Sequence, residues 1–301
     1  MTNFSNAIDR RLIEQILRNR CLIAAYQPVV NHVKEQVVAF EALCRPWWRE
    51  SIRPDVFFER AVRFGISYEA DIAAIQCALD MFWYKPAHIG NSVLSVNALP
   101  ITLMNPHFLT DLEQMLVRSG TDPYRLVLEI TETVPYDSTA LIDTVQILQG
   151  MGIRIALDDV GQGSSSLTAI ANLEPDFIKI DRSLIEGMAH SPKKLRVVSA
   201  LVRYMGDGQG IVAEGIENLE DLLAVTNVGV QLSQGYYWGK SMHVNEIDRL
   251  HMNIELKRFS MYKLNQMDGF PLSAPRMMEK SKEIDALVNE VLKRDFSHGM
   301  Q

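Results

Sequence analysis

Short apolar, β-branched runs recur along the first 240 residues of the chain, and most are followed by a longer segment whose apolar positions repeat with helical spacing. Runs of four to eight such residues read as strands, and apolar positions at i, i+3, i+4 and i+7 read as one face of a helix. Eight strands are predicted: CLIAAYQPV (21–29), VVAFEALC (37–44), SVLSVNA (92–98), RLVLEIT (125–131), IRIALDD (153–159), DFIKID (176–181), GIVAEGI (210–216) and GVQLSQGY (229–236). Helices are predicted over 53–65, 69–83, 105–120, 137–152, 195–206 and 218–229, with Asn105 and Asp137 as N-caps and Gly120, Gly152 and Gly229 at C-terminal ends.

Strands alternating with helices imply a largely parallel sheet, and eight strands suit a closed barrel. The connection NHVKEQ between the first two runs is too short for a crossover helix, so those two are expected to be antiparallel neighbours. Beyond about residue 245 the strand signal stops. The predicted organisation is an amphipathic helix over 1–20, the barrel over 21–245 and a helical extension over 246–301, interrupted at GFPLSAP (269–275). A stripe of Ile284, Leu287 and Val291 fits that extension for docking on its own domain, with pairing to another copy of the chain as the alternative.

Composition narrows the function classes. No stretch approaches the roughly 20 uncharged apolar residues of a membrane helix. The 30 basic and 37 acidic residues give a net charge of −7, which argues against a broad cationic face for duplex nucleic acid. Cys21, Cys44 and Cys77 lack CxxC spacing and are expected to be reduced thiols in the core. The N-terminus lacks the apolar segment and cleavage site of a secretory signal, so a cytoplasmic location is expected.

Candidate chemistry lies at the ends of the strands. Glu41, Asn97, Glu129, Asp158, Asp159, Lys179 and Glu214 each lie near the C-terminal end of a different apolar run or, for the aspartates, of the same one. In a parallel barrel these ends converge on one face, where the active site sits. Carboxylates with one amide oxygen, and no cysteine or histidine, describe an all-oxygen site for Mg²⁺ or Mn²⁺. The adjacent pair Asp158-Asp159 suits two metals about 3.5–4 Å apart, an arrangement that serves phosphate-ester hydrolysis. Lys179 suits either the attacking water or phosphate, or an ion pair with Asp181 or Asp158. The loop with Gly161 and Gly163 suits a phosphate cradle or a gate.

The blocks EALCR (41–45), VNALP, LEITET, ALDDVGQGSSSL, DFIKIDRSLI, VAEGIEN and LSQGYYWGK, in this order over about residues 20–242, resemble those of the EAL-domain cyclic di-GMP phosphodiesterases. The resemblance implies a TIM-like (β/α)8 barrel with its first strand reversed, which hydrolyses cyclic di-GMP to linear pGpG. It implies one metal held by Glu41, Asn97, Glu129 and Asp158, and a second held by Asp158, Asp159 and Glu214. Lys179 matches the lysine that positions the water, Gln234 a glutamine at the rim of the metal site, and Glu132 the glutamate that steadies the loop after the two aspartates. Gln27, Leu43, Arg45, Asp181 and Glu217 match positions that hold the dinucleotide.

Two blocks depart from the family pattern. DDVGQGSSSL replaces the usual DDFGTGYSSL, changing Val160 and Ser164 in a loop that couples the metal site to dimerisation, and QGYYWGKS replaces QGYLFGRP at Lys240 and Ser241. Trp238 suits either stacking on a base or plugging the barrel. The expected partners are cyclic di-GMP, a second copy of the chain, and a protein reached through the tail. Ca²⁺ is expected to inhibit, because its longer and looser coordination spreads a two-metal clamp. The alternative function is a catalytically silent cyclic di-GMP receptor that signals through a protein partner.

Overall fold

The computed structural model describes residues 9–49, 51–83, 89–131, 137–162, 166–206, 208–269 and 271–298. Eight strands follow one another around a closed barrel. They are β1 (Leu22–Asn31), β2 (Gln36–Pro46), β3 (Val93–Ala98), β4 (Leu126–Ile130), β5 (Arg154–Val160), β6 (Phe177–Ile180), β7 (Ile211–Ala213) and β8 (Leu232–Gln234). β2 through β5 pair in parallel, as do β7 and β8. β1 is the reversed strand and runs antiparallel to β8, with Val29 opposite Gln234.

The helices of two turns or more are α1 (Arg10–Arg18), α2 (Pro54–Arg63), α3 (Ser67–Phe82), α4 (Phe108–Ser119), α5 (Ile142–Gly150), α6 (Ser166–Leu173), α7 (Pro192–Tyr204), α8 (Leu219–Asn227), α9 (Arg249–Gln266) and α10 (Pro275–His298). Capping explains where several begin. Asp9 accepts from the Leu12 amide to start α1, and Asn218 accepts from the Asp221 amide to start α8. Asn105 does not cap α4 as the sequence suggested. Its carboxamide accepts from the His107 amide in a local turn, and the helix opens three residues later than predicted. Asp137 caps a 3-10 turn over Ser138–Leu141, and α5 begins only after it.

The chain divides into two compact units. One comprises residues 1–27, 39–179 and 241–245, the other residues 28–38, 180–240 and 246–301. In the first, every residue of β4 is buried, as a strand covered on both faces requires. A cluster around Ile13, Ile16, Phe57 and Ala70 joins α1 to α2 and α3.

In the second unit, α9 and α10 form the helical extension, broken where the sequence places Pro271 and Pro275. Ile284 and Leu287 are half-buried and Val291 is buried. Phe259 of α9 meets His32 and Trp238 edge-on, with ring centroids 5.8 and 5.9 Å apart. Trp238 is buried beneath the extension, with its indole N–H donating to Ser233 Oγ at 2.9 Å. Glu35, in the β1–β2 turn, receives Lys280 at 2.6 Å and Lys257 at 2.7 Å. Among the described residues no helix is long and apolar enough to cross a membrane.

Candidate active site

Period-two alternation along β2 sends Glu41, Leu43 and Arg45 to one face and Phe40, Ala42 and Cys44 to the other. Glu41 is 5 % exposed and lies opposite Ser95 of β3, while Asn97 lies opposite Glu129 of β4. Parallel register thus sets the acids of successive strands side by side. Asn97 Nδ2 donates to Glu41 Oε1 at 3.1 Å. Its Oδ1 is then buried with no hydrogen-bond partner among the described residues. A buried carbonyl oxygen left in this way costs free energy, and beside a carboxylate it is suited to coordinate a hard cation.

Lys179, 2 % exposed on β6, reaches three acids at once: Glu129 Oε2 at 2.7 Å, Asp158 Oδ1 at 3.1 Å and Glu41 Oε2 at 3.2 Å. Of the structural partners suggested by spacing, Asp158 is engaged. Asp181 accepts from the Ser183 amide and opens a single helical turn. Burial raises the Glu129 carboxyl well above its usual range; the charge on Glu41 adds to the rise and Lys179 opposes it. Ser95, absent from the residues expected at the site, donates to Glu129 Oε1. The signal was available, because Ser95 lies two residues before Asn97 and shares its face.

Asp159 adopts left-handed backbone, φ 55°, a region that aspartate tolerates better than bulky residues do. This turn brings one carboxylate oxygen from each of Asp158 and Asp159 within 4.8 Å of the other, which a flat strand does not allow for neighbours. The Asp159 amide donates to Asp158 Oδ1 at 3.0 Å, and Gln162 closes the turn with its amide on the Asp159 carbonyl at 3.1 Å.

Arg45 Nη2 donates to Ser241 Oγ at 3.1 Å, so the serine that departs from the family pattern holds the arginine expected to meet phosphate. Leu43, Arg45 and Asn97 line a cavity of about 620 Å³ with Phe58 and Asp71. That volume lies within the range of small-molecule sites. Asp71 was not foreseen from sequence. Burial lifts its carboxyl to about 6, although it accepts from Thr102 Oγ1 at 2.6 Å and the Leu99 amide at 2.9 Å. Gln27 is half-buried on β1.

In the second unit, Glu214 follows β7, and its amide donates to the Ile180 carbonyl at 3.0 Å. Glu217 is exposed and accepts from Arg182 at 2.6 Å. Gln234 ends β8, 4 % exposed, and its carbonyl accepts from the Ile216 amide at 3.0 Å. Gly235 is required there, because a Cβ would lie 2.2 Å from the Ile216 oxygen. The Lys240 ammonium lies 5.3 Å over the Tyr236 ring. Glu132, Gly163 and Ser164 lie outside the described residues. The acids of the first unit and the Asn97 carbonyl form an all-oxygen donor set that fits a hard divalent cation.

Residues 9–241 match the family model of the EAL domain. An uncharacterized signaling protein of Caulobacter vibrioides is 32% identical over 79% of this chain and 29% of its own length. The bifunctional diguanylate cyclase/cyclic di-GMP phosphodiesterase MucR of Pseudomonas aeruginosa is 29% identical over 78% of this chain and 35% of its own. The chain thus spans about a third of the length of these curated relatives. Among solved structures, Klebsiella pneumoniae BlrP1 in complex with calcium and cyclic di-GMP is 30% identical, with a TM-score of 0.67 over 76% of this chain and 57% of that one. The ring of acids on successive barrel strands and the match along more than three quarters of the sequence lead to one conclusion: the chain belongs to the EAL domain family.

Proposed function

We propose that the chain hydrolyses cyclic di-GMP to linear pGpG with the help of two divalent ions, Mg²⁺ or Mn²⁺. Family membership and a relative named as a cyclic di-GMP phosphodiesterase support the substrate. The observation that carries the chemistry is the buried, unpartnered Asn97 Oδ1 beside Glu41, within a ring of acids spanned by Lys179. Glu41, Asn97, Glu129 and Asp158 would hold one ion, and Asp158, Asp159 and Glu214 the other. Ions bound there supply Lewis acidity, which makes a water nucleophilic at neutral pH and offsets charge on the phosphate.

The chain's own residues do the rest. Lys179 donates to the attacking water and holds it in line, a role its position between three carboxylates suits. Arg45 presents its fork of donors to a phosphate, and Leu43 offers an apolar wall to a base in the adjoining cavity. Gln27, Asp181 and Glu217 hold the dinucleotide, Gln234 borders the metal site, and Glu132 steadies the loop that follows the aspartates. In the same reading the chain acts in the cytoplasm and as a homodimer.

The test is a pair of measurements on the purified chain: hydrolysis of cyclic di-GMP in Mn²⁺ with an EDTA control, and calorimetric binding in Ca²⁺. Turnover that EDTA abolishes supports the enzyme. Binding without turnover in Mn²⁺ moves the assignment to a receptor.

A further inference from the structure

The buried face of α3 is largely apolar, with Ala70, Ala74, Ile75, Ala78 and Leu79, yet it also carries Asp71, which is 5 % exposed. Helix packing gives no reason for an acid here, because an apolar group of the same shape, with its partners replaced to match, is close to neutral for stability. The carboxylate is engaged through one oxygen. Asp71 Oδ2 accepts from the Leu99 amide at 2.9 Å and from Thr102 Oγ1 at 2.6 Å, and both donors are neutral.

Both donors lie just past the end of β3. Asn97 and Ala98 are the last residues of that strand to pair with β4, opposite Glu129 and Ile130, and the Leu99 amide is the next donor along the chain. Pro100, with its fixed φ, then opens a single helical turn, Pro100–Leu103, in which the Thr102 and Leu103 amides donate to the Leu99 carbonyl. The Leu99 peptide is therefore held on both sides, its amide by α3 and its carbonyl by the turn. Thr102 is wholly buried, so the turn cannot rotate without breaking a buried hydrogen bond. All of this lies two to five residues from Asn97.

We infer that Asp71 is a positioning residue for the proposed reaction: from outside the ring of acids it fixes the backbone that follows Asn97, and so sets where the Asn97 carbonyl oxygen meets the metal. The inference rests on the proposed metal site and adds to it the group that holds one ligand in place. Asn97 needs such support. Among the described residues its carboxamide makes one hydrogen bond, from Nδ2 to Glu41 at 3.1 Å, and its Oδ1 makes none, so the aim of that oxygen is set chiefly by the backbone. Asp71, Leu99 and Asn97 line the same cavity, which places the anchored turn at the edge of the site. Groups that orient a metal ligand from behind are commonly worth 10–100-fold in metal affinity.

The experiment is a double-mutant cycle read by calorimetric titration of Mn²⁺ into the metal-free intact chain, without nucleotide: parent, Asp71→Ala, Asn97→Ala and the double variant. Asp71→Ala is expected to weaken Mn²⁺ at least about tenfold in the parent and less than about twofold in the Asn97→Ala background, because a residue that acts through Asn97 has nothing left to position. Equal losses in the two backgrounds, or no loss in the parent, overturn the inference. Thr102→Val keeps the shape of its side chain and removes one hydrogen bond; it carries the same cycle with a smaller loss, about threefold, should Asp71→Ala not fold. A second readout needs no metal. In the ¹⁵N-labelled chain the Asn97 side-chain amide signal, identified by its disappearance in Asn97→Ala, is expected to shift or broaden in Asp71→Ala and to stay in place in Asp71→Asn, whose carboxamide oxygen still accepts both bonds. An unmoved signal in Asp71→Ala overturns the anchoring. A parent chain that takes up no Mn²⁺ counts against the metal site of the proposed function, and the Asn97 signal still decides whether Asp71 positions that side chain.

Discussion

Lys179 Nζ lies 2.7 Å from Glu129 Oε2, and the same ammonium reaches Asp158 and Glu41 within 3.2 Å. One buried cation thus serves three carboxylates. Removing it leaves buried acids uncompensated, a change that costs about 3–5 kcal/mol when a buried pair is broken. Lys179→Met is expected to lower the thermal midpoint in EDTA and to abolish turnover. Added Mn²⁺ is expected to stabilise the variant more than the parent chain, because divalent charge replaces the ammonium. Equal stabilisation in thermal unfolding would contradict the shared site.

Asn97 supplies a buried oxygen that no hydrogen bond satisfies among the described residues. Asn97→Ala is expected to weaken Mn²⁺ at least about tenfold, since altering a group that tunes a metal site commonly costs 10–100-fold in affinity. Titration of turnover against Mn²⁺ checks this, with loss at low metal and partial recovery at high metal.

The two aspartates draw together through the left-handed backbone at Asp159. Calcium bonds are longer and its coordination looser, so a clamp of this size is expected to bind cyclic di-GMP in Ca²⁺ while hydrolysing it at least tenfold more slowly than in Mg²⁺. Rates measured side by side in the two ions provide the check.

His32 ties the β1 end to the helical extension. Its Nε2–H donates to the Val230 carbonyl at 2.9 Å, so Nδ1 accepts from Ser233, whose oxygen already accepts from Trp238. The neutral ring satisfies this chain and the charged ring does not. Burial holds the imidazole down at about 4, with the Lys263 charge adding to the effect against the Val230 hydrogen bond. Unfolded histidine binds its proton near 6.5, so the unfolded state holds more protons between pH 6.5 and 4. The stabilisation is complete above 6.5 and is lost as pH falls toward 4, a change of about 3 kcal/mol. His32→Gln is expected to flatten the pH dependence of denaturant unfolding across that window; an unchanged slope would contradict the assignment.

Glu35 receives Lys257 and Lys280 from the two helices of the extension. Burial acts to raise its carboxyl, but the hydrogen bonds from both lysines outweigh this and hold it at about 2. The stabilisation is present above the ordinary glutamate value near 4.3 and is lost as pH falls toward 2. Glu35→Ala is expected to loosen α9 and α10, read as faster proteolysis of the extension at pH 7 with little change in turnover.

The barrel was legible because each strand is a short apolar run and most connections carry a clean helical period, so all eight strands follow from local pattern, while the reversal of the first was given by the family resemblance. The acids were legible for a related reason: nothing in folding requires an apolar strand such as RLVLEI to carry Glu129 near its end. What escaped was set by tertiary contact. The Trp238 environment depends on Phe259, a residue far along the chain, and the Ser95 and Ser241 hydroxyls acquire their roles only from neighbours on other segments. Asn105 misled because an Asx turn and an N-cap share the same side-chain chemistry.

Cleavage of a cyclic dinucleotide at this ring of acids is expected to depend on a divalent metal. Chromatography of products after incubating the chain with cyclic di-GMP in Mn²⁺, beside Glu41→Ala and an EDTA control, tests it most directly. The expected product is pGpG, from the parent chain in Mn²⁺ alone; intact cyclic di-GMP from the parent chain, or equal pGpG from Glu41→Ala, overturns metal-dependent cleavage at these acids.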